Sequence, residues 1–501
     1  VADLLDYVRS FKDLRVLVLG DAMLDTYLEG SAQRLCSEGP VPVVQRSGSQ
    51  SSPGGAGNTA ANLRAMGADV HFPFIRGNDQ PGQTMESLLH RCGISCSHRV
   101  IDTTAPTIHK LRILANGQYV VRFDEGERDQ WSVESQRVML DAVDNLYGSV
   151  DLVVISDYGY GTVSDALVQR LGRARSTRPK PLFVDSKDIR RCRSIGATVM
   201  TPNHLEAFTA VERRAPDHER IADETVEMIG RRMLALVDAE AVAITRAADG
   251  VTVVERTGQI AHIPAGPVVD PHDVGAGDSF LAALALSVAV GAPVRSGARI
   301  AIEAARLAVR QSGTAVVSQQ ELLQQTSLSD RHRQPRLEEL IPVLDRERAL
   351  GKTIVFTNGV FDILHAGHVE FLRAAKALGD ILVVGVNSDA SVRRLKGRNR
   401  PINAEHHRAA LLAALETVDH VIVFDEDEPS DIIRTLRPHV HAKGGDYEGR
   451  LLPEAQAVED IGGRVYIVPL SGTISTTAVI ERILSLGTEP ATPREPAEMR
   501  A

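Results

Sequence analysis

Thr357-Asn358-Gly359-Val360-Phe361-Asp362-Ile363-Leu364-His365-Ala366-Gly367-His368 runs from an apolar stretch at 353–356 through a tight turn into the start of a helix. A strand that turns directly into a helix is half of a βαβ unit. The two histidines stand three apart, so they share one face of a helix N-terminus, where the dipole and free N–H groups favour phosphate. Gly367 leaves room for a close approach. The set suits holding ATP phosphates while an oxygen attacks the α-phosphorus and pyrophosphate leaves, with no covalent nucleophile. The competing readings are helix-capping or surface histidines, and a zinc pair. The zinc pair lacks both the glutamate of His-Glu-x-x-His and a third ligand.

Working outward, 381–386, 421–424 and 465–468 are further apolar runs, which predict the strands of a Rossmann-like sheet. Positive charge gathers in Arg393-Arg394-Leu395-Lys396-Gly397-Arg398-Asn399-Arg400-Pro401-Ile402, suiting a triphosphate or sugar phosphate, with a solvated basic loop as the alternative. Ile474-Ser475-Thr476-Thr477 opens a final helix with hydroxyls and amides. These segments together resemble the cytidylyltransferase-like superfamily over 353–486, and Lys443-Gly444-Gly445-Asp446-Tyr447 narrows the resemblance to sugar-phosphate adenylyltransferases. The resemblance implies catalysis by His365 and His368. It implies nucleotide contacts from Thr357, Asn358, Gly359, Phe361, Gly367, Lys396, Arg400, Ser475, Thr476 and Thr477. A cysteine familiar between Gly359 and Phe361 is Val360 here, which leaves the histidines intact.

Upstream, short apolar runs at 16–19, 152–155, 182–184 and 241–244 alternate with amphipathic stretches, the pattern of a second parallel sheet. Residues 109–123 alternate instead like a hairpin turning at Asn116-Gly117, and predict a small β-flap. A polar interval at 318–336 has the composition of a linker. The division expected is a kinase-like unit at 1–318, a linker and connecting helix at 319–345, a transferase unit at 346–487 and a flexible tail at 488–501.

Within the first unit, Val274-Gly275-Ala276-Gly277-Asp278-Ser279-Phe280 leads into an apolar helix at 281–290. Glycines let a backbone approach a ligand, and amides at a helix start collect phosphate charge. Asp278 stands where a carboxylate would accept the proton of a hydroxyl attacking a γ-phosphate. A glycine turn with an aspartate cap is the plain alternative. Gly20-Asp21-Ala22-Met23-Leu24-Asp25, Gly54-Gly55-Ala56-Gly57-Asn58, Ser156-Asp157-Tyr158-Gly159, Asp185-Ser186-Lys187 and Asn203-His204-Leu205-Glu206 break the tie. From 15 to 316 the chain resembles the ribokinase-like sugar kinases. The resemblance implies sugar contacts from Asp21, Asp25, Gly54, Gly55 and Asn58. It implies ATP and phosphate contacts from Asn203, Glu206, Thr245, Gly250, Gly275, Ala276 and Gly277, with catalysis by Asp278. It implies Mg²⁺ as well, with no direct protein ligand assigned and Glu206 acting through water. His272-Asp273-Val274 departs from the family's Asp-Thr or Asp-Val-Thr before this glycine turn, and leaves open whether Asp273 compensates.

At 501 residues the chain exceeds one core and predicts two to four domains at about 150 residues each. Its net charge of -9 with interspersed signs offers no stripe for nucleic acid. No apolar run reaches the roughly 20 residues of a membrane span. Cys36, Cys92, Cys96 and Cys192 are too few and irregular for a disulfide framework, so reduced thiols and a cytoplasmic location are expected. Nothing near Val1 reads as an export signal.

Together the two units, with Arg34-Leu35-Cys36-Ser37-Glu38-Gly39-Pro40-Val41-Pro42-Val43-Val44, resemble the bifunctional heptose 7-phosphate kinase and heptose 1-phosphate adenylyltransferase family. That resemblance implies ATP and sugar phosphates as substrates, a product feeding lipopolysaccharide or other glycans, and a separate phosphatase acting between the two steps. It also implies a homodimer through the kinase unit. Lys110, Arg112, Arg122 and Lys187 are the basic candidates for a substrate phosphate. Two alternatives stay open: a kinase and nucleotidyltransferase for another sugar or polyol phosphate, and a sugar-sensing inactive kinase unit joined to an active transferase.

Overall fold

A computed structural model describes residues 4–212, 221–266, 268, 271–272, 274–311, 313–331, 337–445 and 452–469. The chain divides into two compact units, Ala2–Ser327 and Leu328–Ala501.

The first unit is built on an eight-stranded sheet. Its order is Ile260–Ile263, Val251–Glu255, Ala239–Thr245, Ala197–Met200, Leu182–Ser186, Leu152–Asp157, Arg15–Gly20 and Asp69–His71. The six strands from Ala239–Thr245 to Asp69–His71 pair in parallel, and the remaining two extend the edge antiparallel. Successive side chains of a strand point to opposite faces, so a run such as Val16-Leu17-Val18-Leu19 feeds two cores. Val16 and Val18 pack in one core with residues of the helices Ala56–Ala65, Ala276–Ala289 and Val294–Ala308. Leu17 and Leu19 pack in the other with residues of Val133–Tyr147, Asp165–Thr177 and Asp223–Leu236. Both faces are covered, which is why these strands read as unbroken apolar runs. In such a sheet ligands collect outside the carboxyl ends of the strands, where Asp21, Asp157 and Ser186 lie.

The expected flap is larger than a hairpin. His109–Ala115 and Gln118–Glu125 turn through Asn116 and Gly117, at φ 53° and 81°, the left-handed pair that a two-residue turn demands. They join Ala22–Leu35 and Pro42–Gly55 in a four-stranded sheet. The serine-rich stretch before Gly54 is therefore strand, because pairing along Ala22–Leu35 overrides its weak propensity. The polar interval at 318–336 begins as helix. Ser318 and Glu321 form a reciprocal cap, with Glu321 Oε2 accepting from Ser318 N at 2.9 Å and Glu321 N donating to Ser318 Oγ at 3.3 Å. The helix Gln319–Arg331 follows, and Leu322 is buried in the first core.

The second unit is a five-stranded parallel sheet in the order His420–Phe424, Ile381–Asn387, Ile354–Gly359, Val440–Gly444 and Arg464–Val468. Val440–Gly444 was not among the expected strands. Order reverses between Ile354–Gly359 and Val440–Gly444, which puts a ligand crevice at their carboxyl ends. Among the described residues, no helix is long and apolar enough to cross a membrane.

Candidate active sites

Asp278 lies in the first turn of Ala276–Ala289, whose N-cap Gly275 takes φ 85°. A β-carbon on Gly275 would meet Asn58 Nδ2 at 3.0 Å and Ala315 N at 3.1 Å, so position 275 favours glycine on space as well as on φ. The amides of Ala276, Gly277 and Asp278 precede the first intrahelical bond, from Ser279 N to Gly275 O, and face out of the helix start. The Asp278 carboxylate is buried and accepts three hydrogen bonds. Asn58 Nδ2 donates to Oδ2 at 2.8 Å, while Thr59 Oγ1 at 2.8 Å and the Tyr158 hydroxyl at 3.1 Å donate to Oδ1. Burial raises its pKa, and those three donors pull it back.

Asn58, expected at the sugar, donates to Asp278. Asn62 stands one turn on and continues the network, its Oδ1 accepting from Ser279 Oγ at 2.9 Å and Val317 N at 3.0 Å. Thr59, Asn62 and Tyr158 were not singled out individually. A Thr and an Asn among alanines at 56–65 are the only sequence signal, since a helix buried on all sides keeps polar residues that have partners.

Asp21 is fully buried, and its carboxylate accepts from the amides of Tyr158, Tyr160 and Thr162 at 2.9, 3.0 and 3.1 Å. It fixes the 158–162 loop that carries Tyr158. Asp25 Oδ1 accepts from Arg112 Nη1 at 2.7 Å, and a β-carbon on Gly54 would lie 2.3 Å from Asp25 Oδ2. Gly55, at φ 56°, passes equally close to Asp21 O and Met23. Asn203 and Glu206 cap their helix reciprocally, at 3.0 and 2.9 Å, and Glu206 also pairs with Lys187. Asp185 stands half-buried nearby. Burial and the Glu206 charge push its pKa up to about 8. Thr245 ends its strand and bridges Asn203. Gly250, at φ 90°, has Ile263 O where a β-carbon would go, so its place is fixed by chain packing. His272 is exposed, and Asp273 lies outside the described residues.

In the second unit His365 caps Ala366–Lys376 with an extended backbone, and its ring stacks on His368 at 3.8 Å between centroids. Phe361, held at φ 48°, sets its ring edge-on to His368 at 5.3 Å. Each imidazole keeps a buried Nδ1 with no hydrogen-bond partner among the described residues. Burial, then His365 and Lys396, lower the His368 pKa to about 4, and burial lowers that of His365. Unfolded, a histidine titrates near about 6.5. The group gives stability that is fully present above that value and is lost as pH falls through the folded value. The second unit is therefore expected to melt at progressively lower temperature between about pH 6.5 and about pH 4. His368→Gln should flatten that slope in a melting series. An unchanged slope would assign the acid sensitivity elsewhere.

Asp362, buried, pairs with Arg400 and accepts from Ile402 N at 2.8 Å and Asn403 N at 2.9 Å, holding the basic loop against the histidine turn. Arg408 is fully buried, donating to Val360 O at 2.6 Å, Asn387 O at 2.8 Å and Asp389 Oδ1 at 2.8 Å. Neither was foreseen, because arginine is ordinarily a surface residue. Thr357, Asn358 and Gly359 end the central strand, where Asn358 Oδ1 accepts from Lys443 Nζ at 2.9 Å. Gly367 lies in the first helical turn beside the histidines, and Lys396 ends Asp389–Lys396 exposed. Ser475, Thr476 and Thr477 lie outside the described residues, as do Asp446, Tyr447 and the expected tail. Among the described residues, no group of three or more His, Cys, Asp or Glu is placed to hold a metal.

The pfkB family carbohydrate kinase model matches residues 13–321, and the cytidylyltransferase-like model matches 356–482. The chain is 40% identical over 478 residues to the bifunctional protein HldE of Geobacter sulfurreducens, covering 94% of this chain and 96% of that one. It is 41% identical to the protein of the same name from Methylococcus capsulatus, covering 95% and 98%. Among solved structures, Arabidopsis thaliana ribokinase complexed with ribose and ATP matches at TM-score 0.50 and 18% identity, over 62% of this chain and 98% of that one. Escherichia coli phosphofructokinase-2 in complex with potassium matches at TM-score 0.51 and 19%, over 62% and 98%. These two likenesses are of fold.

Proposed function

The chain belongs to the bifunctional HldE family, and from that premise we propose that it makes ADP-heptose in two ATP-using steps separated by a phosphatase. The kinase unit phosphorylates heptose 7-phosphate at C1. An outside enzyme removes the C7 phosphate, and the second unit transfers AMP from ATP to heptose 1-phosphate with release of pyrophosphate. The observation that carries this reading is the presence, in one chain, of two helix starts suited to phosphate. One holds the buried Asp278 carboxylate behind Gly275, and the other holds the neutral stacked imidazoles of His365 and His368.

In the first step Asp278 accepts the proton of the attacking C1 hydroxyl, and the amides of Ala276 and Gly277 receive the γ-phosphate charge. Asn58, Thr59 and Tyr158 orient the carboxylate, Asp21 holds the loop that brings Tyr158, and Asp25 with Gly54 and Gly55 lines the sugar side. Asn203, Thr245 and Gly250 belong to the nucleotide side. Mg²⁺ would sit on the Glu206 side, where Asp185, its pKa raised first by burial and then by the Glu206 charge, stands close by, and magnesium with ATP needs only one or two carboxylates. The ion supplies charge neutralisation between the ATP phosphates. In the second step His365 and His368 hold the triphosphate, Thr357, Asn358, Gly359 and Phe361 shape the turn beneath it, and Lys396 and Arg400 meet its charge. Ser475, Thr476 and Thr477 are carried over from the family motif alone.

The location proposed is cytoplasmic. The exposed strand Gln118–Glu125, with Val121 and Phe123 on one face, supports a homodimer through the kinase unit. The function is tested by supplying the chain with ATP, Mg²⁺ and either sugar phosphate. ADP is expected from heptose 7-phosphate, and pyrophosphate from heptose 1-phosphate with ATP but not CTP. Pyrophosphate from CTP alone would replace the adenylyl assignment. Sugar binding without ADP would make the first unit a sensor.

A further inference from the structure

Four basic side chains near the kinase site are candidates for a substrate phosphate, and three are already engaged. Arg112 donates to Asp25 at 2.7 Å, Arg122 makes a two-pronged pair with Asp124 at 2.8 and 2.9 Å, and Lys187 pairs with Glu206. Lys110 differs. Among the described residues no carboxylate stands within ion-pair distance of it, and its ammonium lies over the rings of Tyr158 and Tyr160, at 5.3 and 5.5 Å from their centroids. The same Tyr158 gives its hydroxyl to Asp278, so one tyrosine ring separates the lysine from the base.

Strand geometry puts Lys110 on this side. Lys110 and Arg112 are two apart on His109–Ala115 and share a face, and Lys110 is the register partner of Asp25. Half-burial among tyrosines lowers the lysine's pKa, outweighing the more distant charges of Asp25 and Asp124. An incoming dianion would relieve that cost and gain a charge-assisted bond.

We propose that Lys110 receives the phosphate already present on the kinase substrate, and so makes the site select phosphorylated over unphosphorylated sugars. The substrate then lies across the face of Tyr158, its reacting hydroxyl at Asp278 and its phosphate at the flap. Such an arrangement requires the two groups to sit at opposite ends of the sugar. The inference rests on the reading that this unit acts on a sugar phosphate, and deepens it.

Calorimetry on the full chain, with heptose 7-phosphate and unphosphorylated heptose as probes, tests it in wild type, Lys110→Met, Lys110→Arg and Arg122→Gln. Met keeps the stem over the tyrosines and removes the charge. Lys110→Met is expected to weaken the phosphorylated sugar roughly 10- to 100-fold, the value of a hydrogen bond to a charged group, and to weaken the unphosphorylated one far less. In turnover KM should rise with kcat nearly kept, and Lys110→Arg should restore most of the affinity. Equal losses for both sugars, or a larger loss in Arg122→Gln, would overturn the role of Lys110 while leaving the sugar phosphate reading intact. Wild type that binds the two sugars equally would overturn both.

Discussion

Asp278→Asn is expected to lower ADP formation from the sugar phosphate by about 10²- to 10⁴-fold, the usual worth of a positioned general base. Pyrophosphate release by the transferase unit, measured on the same sample, should stay at the wild-type level. The substitution keeps the shape of the side chain, but an amide offers one oxygen where the carboxylate offers two. Asn58 donates to Oδ2 while Thr59 and Tyr158 donate to Oδ1, so one side of that set loses its acceptor. The kinase unit should therefore lose about 1–3 kcal/mol of stability, read as a lowered melting temperature with the fold retained. No other carboxylate nearby can take over. Asp21 is saturated by three amides, Asp25 is paired with Arg112, and Asp157 accepts from Ser186 and Gly159. Asp185 stands among the Glu206 and Lys187 charges, and burial raises its pKa. Turnover surviving in Asp278→Asn would mean that the attacking hydroxyl needs no base at this position.

Parallel strands such as Arg15–Gly20, Leu152–Asp157 and Ile381–Asn387 were legible because each is buried on both faces and writes itself as an unbroken apolar run. The flap strands Ala22–Leu35 and Pro42–Gly55 were not. Their burial is partial and their residues are small or polar, and what makes them strands is their pairing with each other, which no local pattern records. Val440–Gly444 escaped for another reason: Val-His-Ala-Lys-Gly hides a fully buried histidine and a nearly buried lysine. Both are sustained by Glu454 thirteen residues beyond the histidine, whose carboxyl they hold down at about 2 against the effect of burial. The motif residues were found where glycine or histidine carries the chemistry, as at Gly275 and His368. The residues that aim them, Thr59, Tyr158, Asp362 and Arg408, act through partners tens to hundreds of positions away. Asn58 shows the same limit from the other side. Its motif was legible, and only the fold reveals that its amide serves the base.

Replacing either histidine of the transferase turn by alanine is expected to cut pyrophosphate release by about 10²- to 10³-fold, the cost of removing one preorganised donor to developing charge. The double variant should fall well short of the product of the two, because rings stacked at 3.8 Å act as one unit. ADP formation by the kinase unit should be unaffected, which reverses the pattern of Asp278→Asn. The stack explains the neutral state: two imidazolium rings at that distance would repel, and burial already disfavours charge on either. A neutral imidazole can still donate one N–H. With each Nδ1 buried and unpartnered, Nε2 is the nitrogen able to meet a phosphate oxygen. Arrival of a triphosphate raises both pKa values, so the donors strengthen as the leaving group gains charge. Glutamine places its amide nitrogen near Nε2 and asparagine near Nδ1. His368→Gln should accordingly retain more activity than His368→Asn, in pyrophosphate release at saturating ATP. The reverse order would put the phosphate against Nδ1 and require the turn around Phe361 to open when ATP binds.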